Sequence, residues 1–321
     1  MPLDWSPFLD LVRRHDRFLL LTHVRPDADA LGSQIGMADL LRQLGKSARI
    51  VIGSTFPERY RFLDPDRGIE RFAPGSDSFT TANAILILDT GTWGQLGDCG
   101  PPLRESSVPK LVIDHHATQN DLGGSRIVDV SAEATGRLVC SAFDLMQKTP
   151  SPAAAEALFA ALAMDTGWFR HSSTDSDTFD LAAKLTGWGA NPTRVFDELY
   201  ERNSLARMRL QGRMLDRITL AHNGRVAYSE IFLKDFPETG AHPLDTEDFV
   251  QLLRSLEGVE VGVLLIEQLN GEVKVSFRSR GKVDVSKVAE RFGGGGHRPA
   301  AGATLPGPIA DARAKVLDSL A

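Results

Sequence analysis

In the first half of this chain, three short apolar runs each stop at carboxylate or imidazole side chains. Residues 17–22 lead into His23, with Asp27 and Asp29 just beyond. Residues 84–88 end at Asp89, and residues 109–113 end at Asp114, His115 and His116. Runs of this length, apolar at successive positions, read as strands buried on both faces. A fourth run, 47–52, reads the same way. Between them, Leu31, Ile35, Ala38, Leu41 and Leu44 recur at helical spacing until Gly45 stops the helix. Leu138, Val139, Ala142, Leu145 and Met146 mark another amphipathic helix, and the alanine-rich segment 153–164 a third. Strands alternating with helices predict an α/β fold, a largely parallel sheet with helices on both faces. In an open parallel sheet, ligands bind beyond the carboxyl ends of the strands. The three groups of acidic and histidine residues are therefore expected to converge there. Asp165 joins them, because it closes the helix 153–164 just before Thr166 and Gly167.

An aspartate after a strand ordinarily caps a helix or a turn, and Asp27 and Asp29 are placed to cap the helix that follows them. The joint pattern asks for more. Four converging carboxylates repel one another strongly unless something neutralises them, and two divalent cations would do so. Oxygen and imidazole donors without a thiolate suit Mn²⁺ or Mg²⁺, and less decisively iron or zinc. Two such ions about 4 Å apart can clamp a phosphoryl group for in-line attack. The residues by themselves thus point to a dinuclear metal phosphohydrolase.

Composition narrows the class. A chain of 321 residues is long enough for roughly two domains. With 42% hydrophobic and 24% charged residues, collagen-like and disordered readings fall away. Only Cys99 and Cys140 are present, too few for a disulfide scaffold or a cysteine-rich zinc finger, and a reducing cytoplasm is expected. The first residues show no basic stretch followed by an apolar run, so no secretory signal is expected. The segment 153–164 is too short to span a bilayer and carries Glu156, so no membrane association is expected. A net charge of -6 argues against a nonspecific binder of duplex DNA.

The second half differs. Residues 192–220 are helical in pattern and heavily charged, and read as a connector. Residues 224–232, 259–268 and 272–278 read as strands, the last two joined by an Asn270-Gly271 hairpin turn. A short helix over 283–292 precedes Gly293, Gly294, Gly295, Gly296 and His297. Between positions 274 and 298 seven basic residues stand against Asp284 and Glu290. A local basic cluster in an acidic chain suits a small anionic ligand. Adjacent glycines let a backbone approach phosphate or ribose closely, although a glycine run can also be a plain flexible loop. Trp93, Trp168 and Phe169 could stack on a base, but ordinary packing is the favoured reading.

The segment from His23 to Ser33, with Asp27 and Asp29, resembles the first motif of the DHH phosphoesterase superfamily. Asp89 resembles its second motif, Asp114-His115-His116 the signature that names it, and Asp165-Thr166-Gly167 with Phe169 its fourth. Gly293 to His297, followed by Arg298-Pro299-Ala300-Ala301-Gly302, resembles the glycine-rich motif of the associated C-terminal domain of the first type. The resemblance covers nearly the whole chain, and the length is similar to that of the NrnA-type branch.

It implies a metal-binding catalytic domain over 1–188, a helical connector over 189–220 and a smaller α+β substrate-binding domain over 221–321. It implies two divalent ions, Mn²⁺ foremost with Mg²⁺ as the other choice. His23, Asp27 and Asp89 would hold one ion, and Asp29, Asp89, His115 and Asp165 the other, with Asp89 shared. Asp114 would orient an imidazole, and His116 would face the substrate. Arg278, Arg280, Gly294, Gly295 and His297 would bind the substrate. The implied activity is hydrolysis of very short RNA, with phosphatase action on 3'-phosphoadenosine 5'-phosphate. Short RNA and nucleotide bisphosphates are thus the expected partners, and association into a homodimer is left open. Hydrolysis of cyclic dinucleotides or of their linear products, and a non-catalytic nucleotide-binding module, are the alternatives; loss of ligand positions would mark the module, and here all six are present.

Overall fold

The computed structural model describes residues 3–320; Met1 and Pro2, where the search for a secretory signal began, and Ala321 lie outside the described residues. The chain divides into two compact units, Met1–Arg202 and Asn203–Ala321. The charged segment read as a connector is shared between them: one of its helices lies in each unit. Among the described residues no helix is long and apolar enough to cross a membrane.

In the first unit the chain runs through α1 (Ser6–Arg14), β1 (Arg17–Leu21), α2 (Ala28–Gln43), β2 (Ser47–Ile52), β3 (Ile69–Arg71), α3 (Ser78–Thr81), β4 (Ala84–Leu88), α4 (Gly100–Glu105), β5 (Lys110–Asp114), β6 (Ser125–Val128), α5 (Thr135–Leu145), α6 (Pro152–Asp165), α7 (Ser176–Gly187) and α8 (Pro192–Tyr200). The strands form a parallel sheet in the order β3-β2-β1-β4-β5-β6. The two central strands, β1 and β4, are buried at almost every position, as their uninterrupted apolar sequences require. The chain moves outward from β1 to β3 and then returns to β4 at the side of β1. The loops leaving β1 and β4 therefore part in opposite directions, and a crevice opens between them. His23 follows the first of these strands and Asp89 the second.

Helix α2 is buried along most of its length because it lies between the sheet and α6. A Cβ on Gly32 would stand 2.2 Å from the Ala157 carbonyl oxygen, and one on Gly36 would stand 2.8 Å from Leu158. The backbones are therefore close, and because Asp39 accepts from the Ser151 amide and Gln43 donates to the Thr149 carbonyl, the end of α2 lies at the start of α6 and the helices run antiparallel. That packing carries Asp29, at the start of α2, toward Asp165, at the end of α6.

The second unit comprises α9 (Leu205–Asp216), β7 (Thr219–Ala221), β8 (Val226–Ile231), α10 (Asp235–Thr239), α11 (Phe249–Arg254), β9 (Val261–Glu267), β10 (Glu272–Ser279), α12 (Val285–Glu290), β11 (Gly295–His297), β12 (Ala300–Pro306) and α13 (Ile309–Asp318). Its sheet has the order β11-β12-β10-β9-β8-β7, antiparallel except between β8 and β9. Helices α12 and α13 cover one face through Val285, Val288, Ile309 and Val316. On the other face α9 and α11 pack over β8 and β9 through Leu210, Met214, Phe249 and Leu253. The glycine run is partly ordered rather than a loop throughout: Gly295 to His297 pair with β12.

Candidate metal centre and substrate face

The residues expected to converge do so. The His23 Nε2 lies 3.3 Å from Asp89 Oδ2 and 3.9 Å from Asp27 Oδ1. The His115 Nε2 lies 3.1 Å from Asp165 Oδ2, 3.6 Å from Asp89 Oδ1 and 3.9 Å from Asp29 Oδ2. Two donor sets result, His23 with Asp27 and Asp89, and Asp29 with His115 and Asp165, each with its donor atoms within 4.8 Å of one another. Asp89 turns one oxygen to each side. A further set, Asp89 with His115 and His116, lies in the same range; the sequence reading did not anticipate it.

Local structure fixes each side chain. Asp27 is indeed a helix cap, its Oδ1 accepting from the Asp29 and Ala30 amides at 3.0 Å, so capping and metal-binding readings coexist at this residue. Asp29 is fully buried and accepts from the Thr135 and Gly136 amides, at 2.7 and 2.9 Å, and from the Ser33 hydroxyl. Its carboxylate thus sits on the amino terminus of α5, where helix amides favour negative charge. Asp89 has φ 62°, the left-handed region that aspartate tolerates better than most residues, and the Thr135 hydroxyl donates to its Oδ1 at 2.9 Å. Thr135, Gly136 and Ser33 are supports that the sequence reading missed.

The imidazoles are prepared as ligands. His23 Nδ1 pairs with the Val24 carbonyl and His115 Nδ1 with the Ala132 carbonyl, both at 3.0 Å, which directs Nε2 to the carboxylates. The buried Nε2 of His115 has no hydrogen-bond partner among the described residues although three carboxylates surround it. An orphaned imidazole nitrogen among carboxylates, with no thiolate present, fits divalent metal ions.

Charge tells the same story. Burial works against a proton on His23, but Asp27 and Asp89 outweigh it and push the ring up to about 11. Burial likewise opposes a proton on His115, and Asp165, Asp29 and Asp89 raise it to about 10. Burial lifts Asp165 to about 6, and burial with the charges of Asp89 and Asp165 holds Asp29 well above the carboxylate range. Without a cation these groups keep protons, whereas a metal takes only neutral imidazole and ionised carboxylate. Loading with Mn²⁺ at pH 7 is therefore expected to expel protons, with His23 and His115 among the donors and Asp29 adding to them, and to tighten as pH rises. Calorimetry in buffers of different protonation enthalpy measures this; an enthalpy that does not vary with the buffer would contradict it.

Asp114 is fully buried and holds the loop behind the centre. Its Oδ1 accepts from the His115 and His116 amides and, at 2.8 Å, from His116 Nδ1. Burial would raise this carboxyl, but the hydrogen bonds from His116 and Gln119 prevail and keep it below the usual range. The Asp114 hydrogen bond in turn raises His116 above the ordinary imidazole value.

In the second unit, antiparallel pairing places Arg278, Ala300 and His297 in one row across three strands, with Ser276, Gly302 and Gly295 in the next. Paired residues share a face, so the second row is a strip almost without side chains beside Arg278 and His297. The Arg278 guanidinium is largely desolvated, which lowers its pKa, and it donates to the Phe277 carbonyl at 3.0 Å. The glycines separate by cause. A Cβ on Gly294 would stand 2.2 Å from the Gly302 carbonyl oxygen, so packing demands glycine there, whereas Gly295 has open space about it. Arg280 departs from expectation. Its guanidinium donates to the carbonyls of Val259, Arg254 and Leu256, so it closes the end of α11 rather than joining this row. Trp168 and Phe169 pack against Phe159, and Trp168 also against Phe196 and Tyr200, as the packing reading expects. Trp93 lies under the Arg104 guanidinium at 4.3 Å.

Comparison with known proteins agrees with these features. Residues 17–164 match the DHH family, N-terminal domain, and residues 223–321 match the DHHA1 domain. The chain is 34% identical over 292 residues to the bifunctional oligoribonuclease and PAP phosphatase NrnA of Thermus thermophilus, covering 90% of this chain and 84% of that protein. It is 29% identical to the bifunctional oligoribonuclease and PAP phosphatase NrnA of Bacillus subtilis, covering 91% and 90%. A crystal structure of an exopolyphosphatase-related protein from Bacteroides fragilis shares the fold, with TM-score 0.94 at 23% identity over 99% of this chain and 96% of that one.

Proposed function

This chain belongs to the DHH family of metal-dependent phosphoesterases, and on that premise we propose that it hydrolyses very short RNA to nucleoside monophosphates and dephosphorylates 3'-phosphoadenosine 5'-phosphate. The observation that carries this reading is the likeness to oligoribonucleases with PAP phosphatase activity, which takes in 90% of the chain. The two donor sets support it from the side of chemistry. Both cysteines are buried and unpaired, which accords with a reducing cytoplasm.

In this reading His23, Asp27 and Asp89 would hold one divalent ion and Asp29, Asp89, His115 and Asp165 the other, Mn²⁺ being the favoured metal. Such ions polarise a phosphoryl group and make water nucleophilic near neutral pH. The protein's own residues do the rest. His116, gripped at Nδ1 by Asp114, carries a proton on Nε2 and gives it to the leaving oxygen. Arg278 takes a substrate phosphate as a desolvated cation, and His297 donates from the same row. The strip of Ser276, Gly302 and Gly295 lets a ribose or base lie against the sheet. Gly302 and Ser276 thereby join the substrate-binding residues, Gly294 serves by shaping the turn before them, and Arg280 is left out.

Turnover of pAp, pApA, RNA dimers to pentamers, a 24-mer and cyclic di-AMP, compared side by side, tests the proposal. Short linear substrates and pAp are expected to lead. Arg278→Ala should raise KM for pApA about 10–100-fold, the worth of one charged hydrogen bond, while a p-nitrophenyl phosphodiester, lacking a nucleotide, changes little. A 24-mer degraded as efficiently as a dimer, or cyclic di-AMP preferred to both, would overturn the assignment.

A further inference from the structure

Gln119 lies five positions past Asp114, and its side chain turns back under that residue. Its Nε2 donates to Asp114 Oδ2 at 2.6 Å and to the His116 carbonyl at 3.0 Å. Both partners are acceptors, so the amide is fixed in this sense; turned over, its oxygen would meet a carboxylate. The consequence falls on Oε1, which is buried without a hydrogen-bond partner among the described residues. A buried polar atom left unpaired calls for an explanation. Gly91 supplies the space, since a Cβ there would stand 1.8 Å from this same oxygen. Gly91 is two residues past Asp89, and its carbonyl accepts from the Asn120 amide at 2.7 Å while Asn120 Oδ1 accepts from the Trp93 amide at 3.1 Å. The loop bearing Asp89 and the loop bearing His115 and His116 are thus laced together around the Gln119 amide.

We propose that Gln119 is a positioning residue for the reaction: through Asp114 it fixes the His116 imidazole, and by lodging against Gly91 it sets that imidazole in register with Asp89. The three hydrogen bonds from His115 and His116 all fall on Oδ1 of Asp114, and the Gln119 amide holds Oδ2. Without that amide the carboxylate can turn about its own bond, and the imidazole turns with it. The proposal rests on the reading of His116 as the group that faces the leaving oxygen.

Gln119→Met keeps the volume and removes the donor. With the full chain, pApA as substrate and saturating Mn²⁺, kcat is expected to fall about 10–100-fold, the usual cost of losing an orienting partner, with KM and Mn²⁺ affinity unchanged. Gly91→Ala, which displaces the same amide from the other side, should give the same signature and serves if the first variant folds poorly. The decisive comparison is His116→Ala with and without Gln119→Met. Equal kcat in these two supports action through the imidazole. A further loss of the same factor in the double variant, an undiminished kcat in the single Gln119 variant, or a loss traced to weaker Mn²⁺ binding would overturn it. Wild-type kcat in His116→Ala alone would instead overturn the role of His116, and the proposal with it.

Discussion

On the proposed reading, Asp89→Ala is expected to lower turnover by at least about a thousandfold, because it would remove the one carboxylate assigned to both ions. Asp114→Ala, by contrast, should retain activity at the level of an orienting loss, about 10–100-fold down. The difference follows from placement. Asp89 has one oxygen 3.3 Å from His23 and the other 3.6 Å from His115, so its absence breaks the His23 set and the set it forms with His115 and His116, and removes a carboxylate from beside the third. Asp114 holds the His115 and His116 amides and the His116 ring, and so acts through those neighbours. The backbone adds a second consideration, since alanine tolerates φ 62° less well than aspartate or asparagine. Asp89→Asn is therefore the cleaner removal of charge and should approach the alanine variant in activity while matching the wild type in melting temperature. Turnover of pApA and bound Mn²⁺, measured on folded protein, decide the matter. Equal residual activity in the Asp89 and Asp114 variants would end the shared-ligand assignment.

Chelation should silence the enzyme without unfolding it. After exhaustive dialysis against EDTA, turnover is expected below about a thousandth of the starting value, and Mn²⁺ should restore it far better than Ca²⁺. Calcium favours six to eight oxygen donors, whereas His23 and His115 present nitrogen, which manganese accepts readily. Both cores are apolar side chains packed on sheets, well removed in character from the charged centre. The far-ultraviolet circular dichroism of the stripped protein should accordingly match that of the loaded one. Full activity in a preparation shown by elemental analysis to lack divalent metal would refute the metal assignment altogether.

The convergence of the six candidate donor positions was legible in the sequence for a physical reason. A strand buried on both faces must be apolar throughout, so a carboxylate or imidazole at its end is conspicuous, and the topology of an open sheet brings such ends together. What stayed hidden were residues whose types carry no signal. Thr135 and Gly136 stand just before the apolar positions of a helix and belong to no motif, and only the fold shows that their amides bind Asp29. Gln119 belongs to no motif in the sequence. The short strands Ile69–Arg71 and Ser125–Val128 lie at the sheet edges, where half-polar sequence gives no periodicity. In the second unit the cluster of basic residues was visible but its division was not. Arg278 and Arg280 are both two-step neighbours on a strand-like run, yet the strand ends at Ser279, and past it Arg280 turns to the carbonyls of α11. Likewise nothing in four consecutive glycines distinguishes Gly294, required by packing, from Gly295, which is not.

The antiparallel contact of α2 with α6, closed by Gly32 and Gly36, also governs when in its assembly the chain can acquire metal. Asp29 and Asp165 belong to elements far apart in the first unit's sequence, Asp89 and His115 come from two separate strand ends between them, and His23 from a third strand end just before Asp29. Apart from the run His23, Asp27 and Asp29, whose members fall in different donor sets, no two of these donors are neighbours along the chain. A nascent chain therefore has no local nucleus around which an ion could organise it, unlike the short-range clusters of a zinc finger. The contacts that create the centre are of high sequence separation, the kind that form late and slowly. Metal enters a finished pocket, and the rate of folding should be indifferent to its presence even though the rate of unfolding is not.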